Sequence, residues 1–250
     1  TLDKWLVDIH KDGVIAIDCE TNSLSANEAD IVGFSMSKAN SMACYIPLAH
    51  RNKFGNEIKQ ISKNEFIKKI KPLMEDESVL KIGQNIKYDL IVLSKLGILV
   101  ENIDDTMLMS YVLNSGKNRH GLDELSLLYF GHNNIKFKDL TKLNKENKTF
   151  DYVDLDLALN YAAEDSDLTY RLWQNLYFEL IKEKLYKFYY YFERPLIKIL
   201  MNMEIYGINV DTNTLKKLSI NFDKKIKIVE DEIYEICNSK FNIGSPKQLG

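Results

Sequence analysis

The stretch that most constrains this chain is residues 14–24, which read Val-Ile-Ala-Ile-Asp-Cys-Glu-Thr-Asn-Ser-Leu. A run of apolar residues delivers Asp18 and Glu20 with one residue between them. Strand side chains alternate between faces, so residues two apart point the same way. A strand over Val14 to Cys19 therefore ends with both carboxylates side by side. Adjacent carboxylates repel, and a hard divalent cation with oxygen ligands relieves that repulsion. A strand that simply ends in a polar turn would use the same residues. Three further carboxylate-bearing stretches downstream favour the cation.

The 250 residues are 45% hydrophobic, enough for one full core and a second, smaller one. Cys19, Cys44 and Cys237 are odd in number and form no C-x-x-C pair. That argues against a disulfide framework and a zinc site and suits a reducing compartment. No apolar stretch approaches the roughly 18 residues of a membrane span, and the start carries no secretory pattern. The first residues already look like folded sequence, so an excised piece of a longer protein is expected. A net charge of −3 gives no support for a dedicated duplex-DNA binder, which is usually basic. It does not exclude nucleic acid, because a metal site built from carboxylates is itself acidic.

Along the chain, Val14 to Cys19, Ile31 to Ser37 and Ala43 to Leu48 read as three strands of an antiparallel meander. Ser62 with Glu65 forms a capping box ahead of a helix whose apolar stripe includes Phe66, Ile70 and Leu73. Val79 to Ile82 reads as a buried strand and Asn85 to Leu96 as a helix stopped by Gly97. With Ile98-Leu99-Val100 as a further strand, these make a βαβ unit, so the later part of the sheet is expected to be parallel. Asp105 to Leu113 and Leu122 to Phe130 read as helices, and Asn133 to Phe150 as a polar, lysine-rich loop with a short helix. Three long helices follow, over Asp154 to about Leu185, Tyr189 to Tyr206, with a kink or break near Pro195, and Asp211 to about Ser239. The fold class is α/β, with a helical lead-in at the end. A boundary is expected between domains 1–187 and 188–250.

Three stretches carry the chemistry when weighed together. Beside Asp18-Cys19-Glu20 stand Gly83-Gln84-Asn85-Ile86-Lys87-Tyr88-Asp89, opening a helix, and Tyr161-Ala162-Ala163-Glu164-Asp165, inside one. Asn85 and Asp89, and likewise Tyr161 and Asp165, are four apart and share a helix face. Asp18, Glu20, Asp89 and Asp165 are the composition that holds two Mg²⁺ or Mn²⁺ ions about 3.5–4 Å apart for in-line attack of water on a phosphodiester. Tyr161 is spaced to orient that water, and with a pKa of about 10 it is a poor general base. Singly, Asp89 reads as a solvated helix residue, Tyr161 as a half-buried core aromatic and Glu164 as a surface charge.

Asp-x-Glu, Asn-x-x-x-Asp and Tyr-x-x-x-Asp, in this order and at these separations, resemble the three exonuclease motifs of the DEDD superfamily, tyrosine subtype. More narrowly they resemble the proofreading 3′–5′ exonuclease domain of bacterial DNA polymerase I, a family A polymerase. Asp105-Thr106-Met107-Leu108 with Tyr111, and Arg119-His120-Gly121, are similar to the same group, and the resemblance covers essentially the whole chain. It implies a ribonuclease H-like mixed sheet with flanking helices and two-metal hydrolysis from a single-stranded DNA 3′ end. Asp18, Glu20, Asp89 and Asp165 match the metal-binding acids, with Mg²⁺ or Mn²⁺ and with Zn²⁺ admissible at one site; Tyr161 matches the water-orienting tyrosine. Leu24 matches a wedging apolar residue and Phe137 an aromatic that packs on the frayed strand. Gln84, Asn85 and Tyr88 match positions lining the substrate channel. Cys19 stands where a threonine is usual, with its side chain expected to face away from the metals.

His120 reads as a histidine packed under a loop, while Lys142, Lys145 and Lys148 could track phosphates. Glu193-Arg194-Pro195-Leu196, Tyr206 to Asp211 and Ser245 to Leu249 resemble the connection to a polymerase and its thumb. No palm or fingers sequence follows. A monomeric fragment that edits without synthesising is expected, with the polymerase domain of the same full-length chain as partner, off the membrane, in a bacterial cytoplasm at the nucleoid. An RNA-trimming exonuclease of the ribonuclease D type would use the same acids, and a degenerate structural platform is the non-catalytic alternative.

Overall fold

The computed structural model describes residues 1–52, 54–141 and 149–250. Lys142, Lys145 and Lys148 lie outside the described residues. A five-stranded mixed sheet in the order β3-β2-β1-β4-β5 forms the centre. β1 (Val14–Thr21), β2 (Ile31–Ala39) and β3 (Met42–Pro47) make the antiparallel meander, and β4 (Leu80–Gly83) and β5 (Ile103–Asp105) add in parallel.

Strand alternation gives the sheet two unlike faces. Ile15, Ile17 and Cys19 of β1, with Phe34 and Met36 of β2, enter the main apolar core. There they meet α1 (Leu2–Asp12), α2 (Lys63–Met74) and α3 (Lys87–Ser94). The Ser62 hydroxyl accepts from Glu65 N at 3.2 Å, as the capping box requires. The opposite face is made of small residues, Ala16 paired with Ser37, Asp18 with Ser35 and Glu20 with Gly33. α7 (Leu155–Lys182) lies across it, and the buried residues of its first three turns, Ala158, Ala162 and Ser166, are small. Small against small lets helix and sheet backbones approach closely. Gly33 is required there, because an added Cβ would fall 1.8 Å from the Tyr45 hydroxyl.

The last strand of the sheet is Ile103–Asp105 and not residues 98–100, which carry no strand. Acidic residues in a buried strand read as turn, but Asp104 finds partners that sequence patterning does not show. Its carboxylate accepts from Trp173 Nε1 at 2.9 Å and Tyr189 Oη at 3.1 Å and pairs with Arg194 Nε at 3.2 Å. α4 (Thr106–Asn114), α5 (Leu122–Phe130) and α6 (Phe137–Thr141) follow, then a 3₁₀ turn over Phe150–Tyr152 ahead of α7.

After α7 come α8 (Tyr186–Phe188), a π-helical turn over Tyr189–Glu193 and α9 (Arg194–Tyr206). The widened turn falls just before Pro195, whose missing N–H disrupts regular α pairing. The first compact unit runs from Thr1 to Ile205, beyond the expected boundary at 187. Arg194 bonds Ile103 O and Asn102, Ile197 enters the main core, and Lys198 pairs with Glu101, so α9 belongs to this unit. The second unit, Tyr206–Gly250, holds α10 (Thr212–Cys237) and α11 (Pro246–Leu249). Asp211 caps α10, accepting from Asn213 N and Thr214 N at 3.0 Å each. Among the described residues no helix is long and apolar enough to cross a membrane.

Candidate active site

β1 reaches the site along an edge that its parallel neighbour leaves open. β4 pairs with β1 as far as Ala16 against Ile82, whereas β2 follows β1 out to Thr21. The Cys19 N–H beyond that pairing donates to Asp89 Oδ1 at 2.8 Å. In open α/β sheets the carboxyl ends of parallel strands are where ligands bind. Cys19 itself points into the core, on the face opposite Asp18 and Glu20. Its thiol nevertheless meets the Asp89 carboxylate, so it does not turn away from all four acids.

Asp18 and Glu20 leave the small-residue face toward α7, which delivers Asp165. One carboxylate oxygen from each of the three lies within 4.8 Å of the others, a grouping found nowhere else among the described residues. Asp89, 3% exposed, sits outside that triplet but close enough to feel it. Burial pushes the Asp18 carboxyl up to about 6. Burial also raises Glu20, and repulsion from Asp18, Asp165 and Asp89 raises it further. Asp89 and Asp165 are raised by burial and then by Asp18. Glu20 Oε1 is buried with no hydrogen-bond partner. Four acids with no cationic partner given them among the described residues are the donor set that a hard cation takes.

Tyr161 hydrogen-bonds Asp165 and is driven upward in pKa by burial and then by Asp165, Glu20 and Asp18, so its hydroxyl stays protonated. The acids open into a cleft of about 680 Å³ walled by Leu24, Asn85, Tyr88, Phe137 and Tyr161. Leu24 is fully exposed at its rim. The Tyr88 hydroxyl bonds Ser23 O and Thr21 Oγ1, each at 2.5 Å, fixing the turn that carries Leu24.

Gln84 is not among the cleft residues. Its amide donates to His120 O at 2.8 Å and its carbonyl takes the Thr106 hydroxyl at 2.6 Å. His120 is packed, with Nδ1 2.9 Å from Ser110 Oγ and its ring edge-on to Tyr111. Glu164 is no simple surface charge. It bonds His132 Nε2 and Ile135 N at 2.7 Å each, tying down the segment that leads to Phe137.

Sequence reasoning passed over Phe150. Its ring is buried and stacks on Phe137 at 6.3 Å and 13°, while meeting Tyr161, Tyr45 and His50 on other sides. It joins the aromatic wall of the cleft to the tyrosine beside Asp165. Sitting alone in a polar run, it shows no periodicity that could have flagged it.

A family model described as a 3′–5′ exonuclease matches residues 1–181. The chain is 44% identical over 265 residues to a DNA polymerase I of Rhizobium leguminosarum, covering 100% of this chain and 26% of that protein. It thus spans about a quarter of the length of the curated relatives it matches. Among solved structures, the POL domain of Pol1 from M. smegmatis in complex with DNA primer-template and dNTP superposes with a TM-score of 0.76 at 20% identity, covering 99% of this chain and 38% of that one. Escherichia coli RNase D, an exoribonuclease involved in structured RNA processing, gives 0.57 at 15% identity, covering 83% and 49%. At these identities the structures share the fold.

Proposed function

The chain belongs to the 3′–5′ exonuclease family found in DNA polymerase I, and from that premise we propose that it hydrolyses nucleotides from a single-stranded or frayed, mismatched DNA 3′ end, as the proofreading part of a larger polymerase. One observation carries the reading. Asp18, Glu20 and Asp165 converge on the cleft beside a protonated tyrosine. Asp18, Glu20, Asp89 and Asp165 would hold divalent ions, Mg²⁺ or Mn²⁺. Bound there, such ions acidify an attacking water and offset charge on the attacking and leaving oxygens of the phosphodiester.

The chain's own residues do the rest. Tyr161, kept protonated and anchored on Asp165, orients the water and does not abstract its proton. Leu24 stands exposed as a wedge beside the terminal bases. Phe137, backed by Phe150, offers a base-stacking platform that reads no sequence, as an editor of any mismatch requires. Discrimination then comes from the duplex, because a mismatched end unpairs more easily than a matched one. In the whole protein, residues 1–187 would be the exonuclease domain and 188–250 the lead-in to the polymerase, its first helix, α9, packed on the exonuclease unit, working as a monomer in the bacterial cytoplasm.

Digestion of a 5′-labelled single strand with Mg²⁺ or Mn²⁺ tests this, beside EDTA, a 3′-mismatched duplex, an RNA of the same sequence and Asp165→Ala. A metal-dependent ladder shortening from the 3′ end, faster on the mismatch than on matched duplex and lost in the variant, is expected. Preference for RNA would move the substrate to the ribonuclease D type. No cleavage together with no metal binding by calorimetry would leave a structural module.

A further inference from the structure

We propose that Asp105, helped by Thr106, is a positioning residue for the exonuclease site, acting through the turn that launches Asp89 and Tyr88. The proposal rests on the hydrolytic reading above for its effect on activity, though not for its structural part. α3 begins without a cap of its own, since Ile86 at its N-cap has no side-chain hydrogen bond to give. The first N–H groups of a helix have no partner within it. Here Asp105, at the end of β5, takes the two N–H groups that lead into α3, with Oδ1 accepting from Asn85 N and Oδ2 from the N-cap Ile86 N, both at 3.0 Å.

The same Oδ1 also caps α4, taking Met107 N at 2.9 Å and Leu108 N at 3.3 Å. One carboxylate, 5% exposed, thereby starts two helices. Thr106 closes the turn from its other side, its hydroxyl lying 3.1 Å from Gly83 O and 2.6 Å from Gln84 Oε1.

The turn needs holding. Asn85 sits in the left-handed region at φ +59, a conformation that a side chain beyond glycine disfavours. Ile86 folds back so tightly that a Cβ on Gly83 would lie 2.7 Å from it. Downstream of this turn, Asp89 meets Cys19 N, and the Tyr88 hydroxyl pins the Leu24 turn. A rotation at Asn85 therefore moves an acid of the cation cluster and a wall of the cleft together. Asp105 is in turn held by Tyr189, whose hydroxyl accepts from Asp105 N at 2.9 Å.

Asp105→Asn keeps one acceptor but sets an amide N–H₂ against the Ile86 N–H. In the metal-free protein, hydrogen–deuterium exchange over residues 83–90 should speed up about tenfold while α7 stays protected. Mn²⁺ affinity by calorimetry should fall about tenfold, the range seen when a partner behind a metal ligand is lost. At saturating Mn²⁺ the single-turnover rate should recover most of its loss, while the local pattern of exchange separates this from a merely less stable protein. Exchange over 83–90 within about twofold of the parent, or acceleration spread evenly over the chain, would overturn the proposal. Should Asp105→Asn fail to fold, Thr106→Val, which removes only the hydroxyl, is read by the same criteria. If the parent itself neither binds Mn²⁺ nor cuts DNA, the hydrolytic reading fails, while the exchange result still decides whether Asp105 holds the turn.

Discussion

Two groups of buried carboxylates stand at the ends of β1 and β5, with β4 between them, and are treated in opposite ways. At the end of β5, Asp104 and Asp105 are saturated. Trp173, Tyr189 and Arg194 serve the first, and four backbone N–H groups serve the second. At the end of β1, Asp18, Glu20 and Asp165 face one another, and an oxygen of Glu20 has no partner. Folding desolvates both groups and burial raises the carboxyls of both, but among the described residues the first has its oxygens taken up by donors, while in the second Glu20 Oε1 is left with none. A buried acid alone therefore says little about function. A buried acid whose compensation is missing from its own chain points to something that arrives from solution.

The sharpest way to break this contrast is to truncate one acid on each side. Asp104→Ala should destabilise by about 3 kcal/mol or more, because it strands Arg194 beside an emptied site. Asp18→Asn in the metal-free protein should be neutral or stabilising, because it removes a source of repulsion. Chemical denaturation with EDTA present measures both, and equal destabilisation by the two would erase the distinction.

The second test uses pH. The cluster's carboxyls are raised in the folded state, Asp18 to about 6. Without metal, the stability they contribute is present below the ordinary carboxyl range, near pH 4, and is lost as pH rises through the raised values, for Asp18 through about 6. Mn²⁺ needs the ionised forms, so at pH 7.5 a concentration of 100 times its Kd should add about 2.7 kcal/mol, and clearly less at pH 5. Thermal melts with Mn²⁺ or EDTA at the two values decide it, and an equal gain at both would argue against carboxylate ligation.

The smallest effect is on the wall of the cleft. Phe137→Ala should lower activity on a single strand by the equivalent of about 1–2 kcal/mol, the range of one lost base stack. Its melting temperature should barely move, since Phe137 is 43% exposed. Degradation rates at subsaturating substrate measure it.

What could be read from the sequence divides along the same line. Strand alternation puts Asp18 beside Glu20, and helix spacing puts Asp89 with Asn85 and Asp165 with Tyr161, before any partner is known; that Asp165 meets Asp18 and Glu20 is a matter of tertiary packing. The meander, the long helix ahead of residue 182 and the Ser62 cap are likewise local. β5 was misplaced because two acids inside a strand read as turn, and their partners Trp173, Tyr189 and Arg194 lie far along the chain. Gln84, matched to the substrate channel, and Phe150, passed over, show the same limit. Local pattern cannot show that the one is occupied by His120 and Thr106, or that the other packs between Phe137 and Tyr161.

The passage of α7 across the small-residue face also governs when this site comes into being. Asp18 and Glu20 are synthesised early, Asp89 later, and Asp165 only with the last long helix of the first unit. Domains fold as units as the chain emerges at about 5–20 residues per second. A nascent chain that has already built its meander still lacks the third acid and the tyrosine until α7 emerges and docks. The cluster is therefore complete only after every strand of the sheet that carries it has been made.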